Sequence, residues 1–269
     1  MDWSPEAEAA LKHVPFFVRK RVRARVEKEA KDAGQERISL ADVKATQARY
    51  LSGMQAEIKG YQLDTCFGPS GCPNRAMVSE PLIARIEALI KKADLLSFLK
   101  SRVGENLKFH HEFRVTLADC PNACSQPQIK DVGIIGAVVP ETTSEPCSQC
   151  GACTESCAEQ AIALSPEGRP PRIDSECCQN CGLCIAACPT GSIAEAWRGY
   201  RVQLGGRLGR HPRLARELPG IFSEDQVIEI LQECLAFYKE RSLHGERFAH
   251  ILQDADFEKF SRRFCSTGV

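Results

Sequence analysis

Apolar positions recur first at helical spacing. Ser4 can cap a helix that has Pro5 at its first position and Glu6 and Glu8 in its first turn. Pro15 interrupts it. Phe17, Val18, Val22 and Val26 then form the apolar stripe of a second helix ending near Gly34. Ser39 followed by Asp42 reads as a capping box that opens a third. Residues 1–48 are therefore expected to form a small helical domain. Beyond residue 60 the pattern changes. Asp64 to Asn74, rich in Gly, Pro and Cys, predicts a loop, and Pro81 to Val103 predicts one helix with Leu82, Ile83, Ile86, Leu89 and Ile90 on one face. Phe109, His111, Phe113, Val115 and Leu117 alternate, which predicts a strand running into Cys120; Val132 to Val139 reads as a buried strand. The alternation resumes at Tyr200, Val202 and Leu204 before a Gly-rich turn. Ser223 with Gln226 is another capping box, and Val227, Ile230, Leu231 and Leu235 give its helix an apolar face. Residues 140–194 break this pattern. The expected class is α+β, with an α/β domain over 49–139 and 195–269 that carries 140–194 as an insertion.

Composition narrows the function class. Thirty-five basic residues balance thirty-five acidic ones, so the chain as a whole does not bind nucleic acid or a membrane surface by charge. The longest apolar run, Val132 to Val139, is too short to span a bilayer. The start, MDWSPEAEAALKH, lacks a cationic segment followed by an apolar one, so no export signal is expected. Fifteen cysteines in such a chain, spaced at metal-ligand intervals, point to thiolate ligation in a reducing cytoplasm rather than to disulfides.

Twelve of the fifteen fall into two nested spacings. Cys147, Cys150, Cys153 and Cys157 form C-x2-C-x2-C-x3-C, and Cys178, Cys181, Cys184 and Cys188 repeat it and end in Pro189. In this pattern three cysteines wrap one cubane and the fourth reaches across to the other. Cys147, Cys150, Cys153 and Cys188 would then hold one [4Fe–4S] cluster, and Cys178, Cys181, Cys184 and Cys157 the second. Gly151 and Gly182 supply tight turns after the second cysteine of each motif. The segment closely resembles bacterial two-cluster ferredoxins, with Ala158 where the first motif usually has proline. Structural zinc is the alternative for paired CxxC motifs, but the doubled run argues against it. Cys177, Cys234 and Cys265 fall outside the pattern; Cys234 lies on the apolar stripe of the late helix.

Outside that pair stand Cys66 and Cys72 (C-x5-C) and Cys120 and Cys124 (C-x3-C), whose spacing alone leaves zinc or an isolated cluster open. Their surroundings are Thr65-Cys66-Phe67-Gly68-Pro69-Ser70-Gly71-Cys72-Pro73 and Ala118-Asp119-Cys120-Pro121-Asn122-Ala123-Cys124. Together with QPQIKDVGIIG from Gln126 and GYRVQLGGRLGRHPRLA from Gly199, they resemble the sirohaem–[4Fe–4S] signature of the sulfite and nitrite reductase family. Dissimilatory and anaerobic members also carry a ferredoxin module inserted here. The resemblance implies a third [4Fe–4S] cluster on Cys66, Cys72, Cys120 and Cys124, with Cys124 as the thiolate shared with sirohaem iron. It also implies six-electron reduction of sulfite to sulfide, or of nitrite to ammonia, with electrons fed through the two ferredoxin-type clusters. Sirohaem is a polycarboxylate, so Arg207, Arg210, His211, Arg75 and Lys108 are candidate contacts, with Arg114, Lys130 and Arg213 behind them. His110 and His111 flank the strand before Cys120, one expected toward the core and the other toward the site or solvent.

Full sulfite reductases carry a further α/β half-domain ahead of the C-x5-C motif, which grips the oxyanion. The residues before Cys66 here do not resemble it. A compact reductase, a site completed by a second chain, and loss of sulfite chemistry all stay open. Trp3-Ser4-Pro5-Glu6-Ala7-Glu8 and Val14-Pro15-Phe16-Phe17-Val18-Arg19 instead resemble the small C-terminal domain of the B subunit of light-independent protochlorophyllide reductase. The basic run Arg19, Lys20, Arg21, Arg23 and Arg25 reads as a solvated helix face. The expected partners are a ferredoxin or other redox protein as donor and a small oxyanion, with an oligomer or hetero-complex compatible. The rival readings are a non-catalytic electron-transfer subunit of a larger redox complex and a tetrapyrrole-handling protein.

Overall fold

In the computed structural model the described residues are 1–104, 107–166 and 168–265, and for 51–56 the backbone alone. The chain divides into two compact units, Met1–Ile58 and Lys59–Val269.

In the first unit, β1 (Asp2–Trp3) pairs in parallel with β2 (Arg37–Ile38), around helices α1 (Pro5–Lys12), α2 (Phe16–Asp32) and α3 (Leu40–Ala56). Ser4 Oγ caps α1 by accepting from the Ala7 amide at 3.2 Å, and Ser39 and Asp42 close the box that opens α3. The core is Trp3, Ala7, Leu11, Val26, Ala30, Ile38 and Val43. Phe17 departs from the expected stripe and is 71% exposed. The row that turns inward steps by four from Val18 through Val22 and Val26 to Ala30, and Phe17 sits about 100° around the helix from Val18.

The second unit is built on a five-stranded sheet. Its elements run β3 (Tyr61–Thr65), α4 (Glu80–Lys92), α5 (Leu95–Val103), β4 (Phe113–Ala118), β5 (Val132–Thr142), α6 (Ala152–Glu155), β6 (Ile162–Ala163), β7 (Arg172–Ile173), α7 (Leu183–Ala187), β8 (Ile193–Leu204), β9 (Arg216–Glu217), α8 (Glu224–Arg241), α9 (Phe248–Ile251) and α10 (Asp254–Arg263). The sheet order is β3-β4-β5-β8-β9, parallel across the first three strands and antiparallel beyond. Val115, Leu117, Ile134, Val202 and Leu204 are buried on the strands, as are Leu82, Ile86 and Ile90 on α4 and Val227, Ile230, Leu231 and Leu235 on α8. The box at Ser223 and Gln226 forms with both hydrogen bonds, at 2.9 and 3.3 Å. Asp131, fully buried at the start of β5, accepts from the amides of Arg114 and Ala249 and pairs with Arg247 at 3.2 Å. No described helix is long and apolar enough to cross a membrane.

Three expected elements differ. The single helix over 81–103 is two, because Asp94 adopts a left-handed conformation (φ 45°) and caps α5 by accepting from the Ser97 amide. The strand expected from Phe109 begins at Phe113. Phe109–His111 is a single 3-10 turn, closed where His111 Nδ1 accepts from the Lys108 amide at 3.0 Å. The Asp64–Asn74 loop gives Asp64 and Thr65 to β3 and contains a 3-10 turn at Gly68–Ser70. The strands expected over 132–139 and from Tyr200 are parts of longer partners. β5 and β8 pair antiparallel from Val132↔Leu204 out to Thr142↔Ile193, with one irregularity at Val139/Pro140. The cysteine-rich connection closes the far end of this two-stranded arm. It has its own small core of Cys153, Ile162, Cys184 and Ile193.

Candidate metal centres

Parallel pairing of β3 with β4 sets Thr65 beside Leu117, so the two outer cysteine loops leave the sheet side by side. The Cys66 amide donates to the Leu117 carbonyl at 3.1 Å. The Cys66 sulfur in turn accepts from the amides of Asp119 (3.2 Å) and Gly68 (3.3 Å). Asn122 Nδ2 donates to Cys124 Sγ at 3.0 Å. Burial pushes the Cys120 thiol up, and the neighbouring Cys66, Cys124 and Cys72 push it further. Of these four, Cys124 alone is exposed.

Asp119 ties this corner to α4. It is 1% exposed, its Oδ1 accepts from the Ser79 hydroxyl, and Arg75 Nε stands 3.4 Å from Oδ2. Burial raises the Asp119 carboxyl above its ordinary range, against the pull of Ser79 and Arg75. Gly68 lies so close that a Cβ there would sit 2.0 Å from Asp119 Oδ2. Arg75 laces the same loop by donating to the carbonyls of Met77 and Gly68, and it pairs with Glu80 at 2.6 Å.

In the inserted segment Gly151 and Gly182, at φ 77° and 74°, cap the short helices α6 and α7, where an L side chain would be strained. The fourth cysteine of each motif crosses to the other. Cys157 lines one cavity with Cys178, Cys181 and Cys184, whereas Cys188 lines another with Cys147, Cys150 and Cys153. Burial pushes the Cys184 thiol up to about 11. At Cys188 burial also acts upward. It is outweighed by hydrogen bonds from Ser192, the Ile193 amide and Thr190, which bring that thiol down to about 6. The segment docks on the sheet at Val138, whose amide donates to the Asn180 carbonyl at 2.7 Å and which bridges to Cys181. Cys66, Cys72, Cys120 and Cys124 line the same cavity of about 550 Å³ as the Cys157 quartet.

The donor set fits polynuclear iron–sulfur groups. All of these cysteines are free thiols. Among the described residues no three His, Cys, Asp or Glu side chains converge to hold a single metal ion. All-thiolate quartets that each line a common cavity, eight of the cysteines in the doubled run, fit cubanes. The exposed Cys124 suits a thiolate shared with a second iron outside the cluster.

The structure brings Arg75 to the cysteine cavity, but Arg207, Arg210, His211 and Lys108 do not line it. Arg207 donates to the carbonyls of His211 and Ala249, both at 2.8 Å, and Arg213 to those of Gly205, Ala249 and Leu252. Arg210, His211 and Lys108 are exposed. Lys130 pairs with Asp64 at 2.6 Å, and Arg114 Nε is buried without a hydrogen-bond partner. The His110 and His111 rings pack on each other, 4.1 Å between centroids. The sequence assigns no individual role to Asp119, Ser79 or Gly68, although Gly68 and Asp119 stand inside the two cysteine-bearing stretches.

Comparison with known proteins follows the same division. The family model described as nitrite and sulphite reductase 4Fe-4S domain matches residues 62–266, and that of the proto-chlorophyllide reductase 57 kD subunit matches 3–47. The chain is 36% identical over 152 residues to the coenzyme F420-dependent sulfite reductase of Methanocaldococcus jannaschii, a match covering 56% of this chain and 24% of that protein. It is 28% identical over 236 residues to the C subunit of the anaerobic sulfite reductase of Salmonella typhimurium, covering 84% of this chain and 63% of that one. The chain thus spans about a quarter and under two thirds of these relatives' lengths. The crystal structure of dissimilatory sulfite reductase I shares the fold with a TM-score of 0.51 at 16% identity, over 77% of this chain and 52% of that one. With its outer cysteines, its closing helices and all but the first residue of its five-stranded sheet inside the matched span, the chain belongs to the nitrite and sulphite reductase 4Fe-4S domain family.

Proposed function

We propose that this chain is the sirohaem- and iron–sulfur-bearing part of a sulfite reductase-type oxidoreductase, reducing sulfite, or nitrite, in a reducing cytoplasmic setting. The observation that carries this reading is the shared cavity, which sets the Cys66, Cys72, Cys120 and Cys124 quartet against the Cys157, Cys178, Cys181 and Cys184 quartet. A cluster in each would exchange electrons across one shared cavity. The cluster on Cys147, Cys150, Cys153 and Cys188 would occupy a separate cavity and is the proposed receiver from a ferredoxin-like donor. Electrons would then pass in three stages, one at a time, toward Cys124.

Bound sirohaem would supply the iron that takes the oxyanion. This chain's own residues set the seat. Cys124, exposed at the cavity, takes a hydrogen bond from Asn122 at its sulfur. Asp119 and Gly68 hold the Cys66 loop against β4, and Arg75 is a proposed contact at the cavity. Arg210 and His211, exposed on the hairpin that Arg207 braces, are proposed contacts to the cofactor carboxylates, as is Lys108. The relative named as one subunit of an anaerobic sulfite reductase supports a hetero-complex.

Anaerobic isolation followed by a visible spectrum and an iron count tests the reading. Sirohaem absorbance with iron for three cubanes is the expected result, and full iron loading without that absorbance would sink it. A second reading, an electron-transfer subunit without substrate chemistry, is favoured by the engagement of Arg207 and Arg213 on backbone carbonyls. Turnover of sulfite by the isolated chain with an artificial reductant excludes that one.

A further inference from the structure

The two halves of the inserted segment are an internal repeat, and they differ at the cysteine that crosses. Cys157 is followed at its second and fourth positions by Glu159 and Ala161, and Cys188 by Thr190 and Ser192. The isoleucines that come next, Ile162 and Ile193, occupy the same small core, so the positions are structurally equivalent. At Cys157 the sulfur accepts from the Ala161 amide at 3.3 Å, and no hydroxyl stands at either equivalent position.

At Cys188 two hydroxyls stand where the first repeat has none. Ser192 Oγ lies 3.4 Å and Thr190 Oγ1 3.7 Å from the sulfur, and Thr190 donates to Ser192 at 3.1 Å. A ligating cysteine carries no proton, so any hydrogen bond at that sulfur must come from the hydroxyls. Thr190 occupies the Ser192 lone pair, which leaves the Ser192 proton free to point at Cys188, and a chain of this kind strengthens each link. Ser192 is 1% exposed, so water does not compete for that proton. Hydrogen bonds to cluster sulfurs favour the reduced, more negative cluster and so raise its potential.

We infer that the Thr190–Ser192 hydroxyl pair sets the potential of the cluster on Cys147, Cys150, Cys153 and Cys188 above that of its sister on Cys178, Cys181, Cys184 and Cys157. The inference rests on the reading that both quartets hold cubanes. Each takes up one electron from a one-electron reductant, and no bond forms or breaks. The asymmetry makes the cluster outside the shared cavity the place where the first electron rests.

The test is an anaerobic redox titration of the loaded full chain with dithionite, followed by electron paramagnetic resonance, with iron counted in parallel. Two module potentials should separate in the unmodified protein. Ser192→Ala and Thr190→Val should shift the higher one to more negative values and leave the lower one in place. Ala161→Ser should move the lower one upward. Alanine is already tolerated at the equivalent buried position, so Ser192→Ala keeps the fold. Unchanged potentials with both clusters full would overturn the inference, as would a shift confined to the sister cluster. Absence of cubane signals together with absence of iron would overturn the cluster reading itself, and the inference with it.

Discussion

The amide of Val138 donates a 2.7 Å hydrogen bond to the carbonyl of Asn180, the residue that precedes Cys181. Two positions back along β5, Gly136 packs so closely on the residue that follows β4 that a Cβ there would lie 2.5 Å from the Asp119 carbonyl oxygen. Asp119 in turn precedes Cys120. One hydrogen bond and one backbone contact therefore join a cysteine of the inserted module to a cysteine of the outer quartet. The sheet is the bracket that fixes their separation.

Gly182 tests that bracket. Its φ is +74°, and an added Cβ would meet Val138 Cβ at 3.0 Å. Gly151, its repeat equivalent at φ +77°, has only Thr154 Oγ1 nearby, at 3.8 Å. Each Gly→Ala change carries the backbone strain of a left-handed residue, about 1–2 kcal/mol. Gly182→Ala adds the push on Val138, so it should lower the anaerobic unfolding midpoint more than Gly151→Ala does. Adding Val138→Ala removes the two methyls at 3.2 and 3.7 Å but keeps the Cβ at 3.0 Å, so it should recover only part of the difference. Equal losses in the two single variants would mean that docking on Val138 is not a stabilising contact.

Gly68→Ala should be more selective. The new methyl would collide with the buried Asp119 carboxylate at 2.0 Å, with no room to retreat because Ser79 and Arg75 hold it. Overpacking of this kind costs about 1–3 kcal/mol. The displaced loop also carries one of the two amides that donate to Cys66, that of Gly68, and the methyl presses on Asp119, whose amide is the other. The expected outcome is loss of iron from the outer quartet with the module clusters retained, read by iron analysis and electron paramagnetic resonance.

These residues also mark where the sequence is and is not legible. Cysteine spacing, the capping boxes at Ser39 and Ser223, and the apolar faces of α4 and α8 are local patterns, and the structure contains them as read. The break at Asp94 depends on one side chain choosing to cap rather than continue, a small energy difference that periodicity does not report. The long β5–β8 arm joins residues more than fifty positions apart, and its outer half lacks alternation because little packs on it. Asp119 and Gly68 matter through a contact made only when two loops fold together. Phe17 shows the opposite failure, an apolar residue at plausible spacing that the helix turns to solvent.

Arg247 should prove the most costly single truncation outside the cysteine sites. Its partner Asp131 is fully buried, so Arg247→Ala strands a carboxylate that keeps only two backbone donors. Breaking a buried pair in this way costs about 3–5 kcal/mol. Burial already raises the Asp131 carboxyl, and Arg247 is the leading opposing influence. A raised folded value favours the neutral acid, so this group's contribution to stability is fullest below the ordinary carboxylate range and falls as pH rises through the folded value. The penalty of Arg247→Ala should therefore shrink in acid, as measured by urea midpoints across pH.

In the first unit the sign reverses. Glu29 is held down to about 2 by Arg49, then by Thr46 and Arg25, from an ordinary value of 4.5. The stability it lends is present above that ordinary value and is lost as pH falls toward about 2. Trp3 reports on this unit from its core, whereas Trp197 belongs to the other unit and is exposed. In a Trp197→Phe background, Trp3 fluorescence should show acid unfolding in this window, and Glu29→Gln should flatten the dependence. A profile identical in both proteins would show that the Glu29 cluster does not anchor the unit.

The crossing of Cys157 and Cys188 gives the sharpest test, because it concerns which residues act together rather than how strongly. If each motif held its own cluster, Cys150→Ala and Cys157→Ala would damage the same one. The observed lining puts Cys188 with Cys150, and Cys157 with Cys181. Residues that serve one unit are strongly non-additive, while residues in separate units add. Iron and spin lost in Cys150→Ala/Cys188→Ala should therefore barely exceed the loss in either single variant. Cys150→Ala/Cys157→Ala should lose both module clusters, because the crossed lining puts these two cysteines in different ones. The reverse pattern, with Cys150 and Cys157 behaving as one unit, would rule out the crossed arrangement and place each cluster within its own motif.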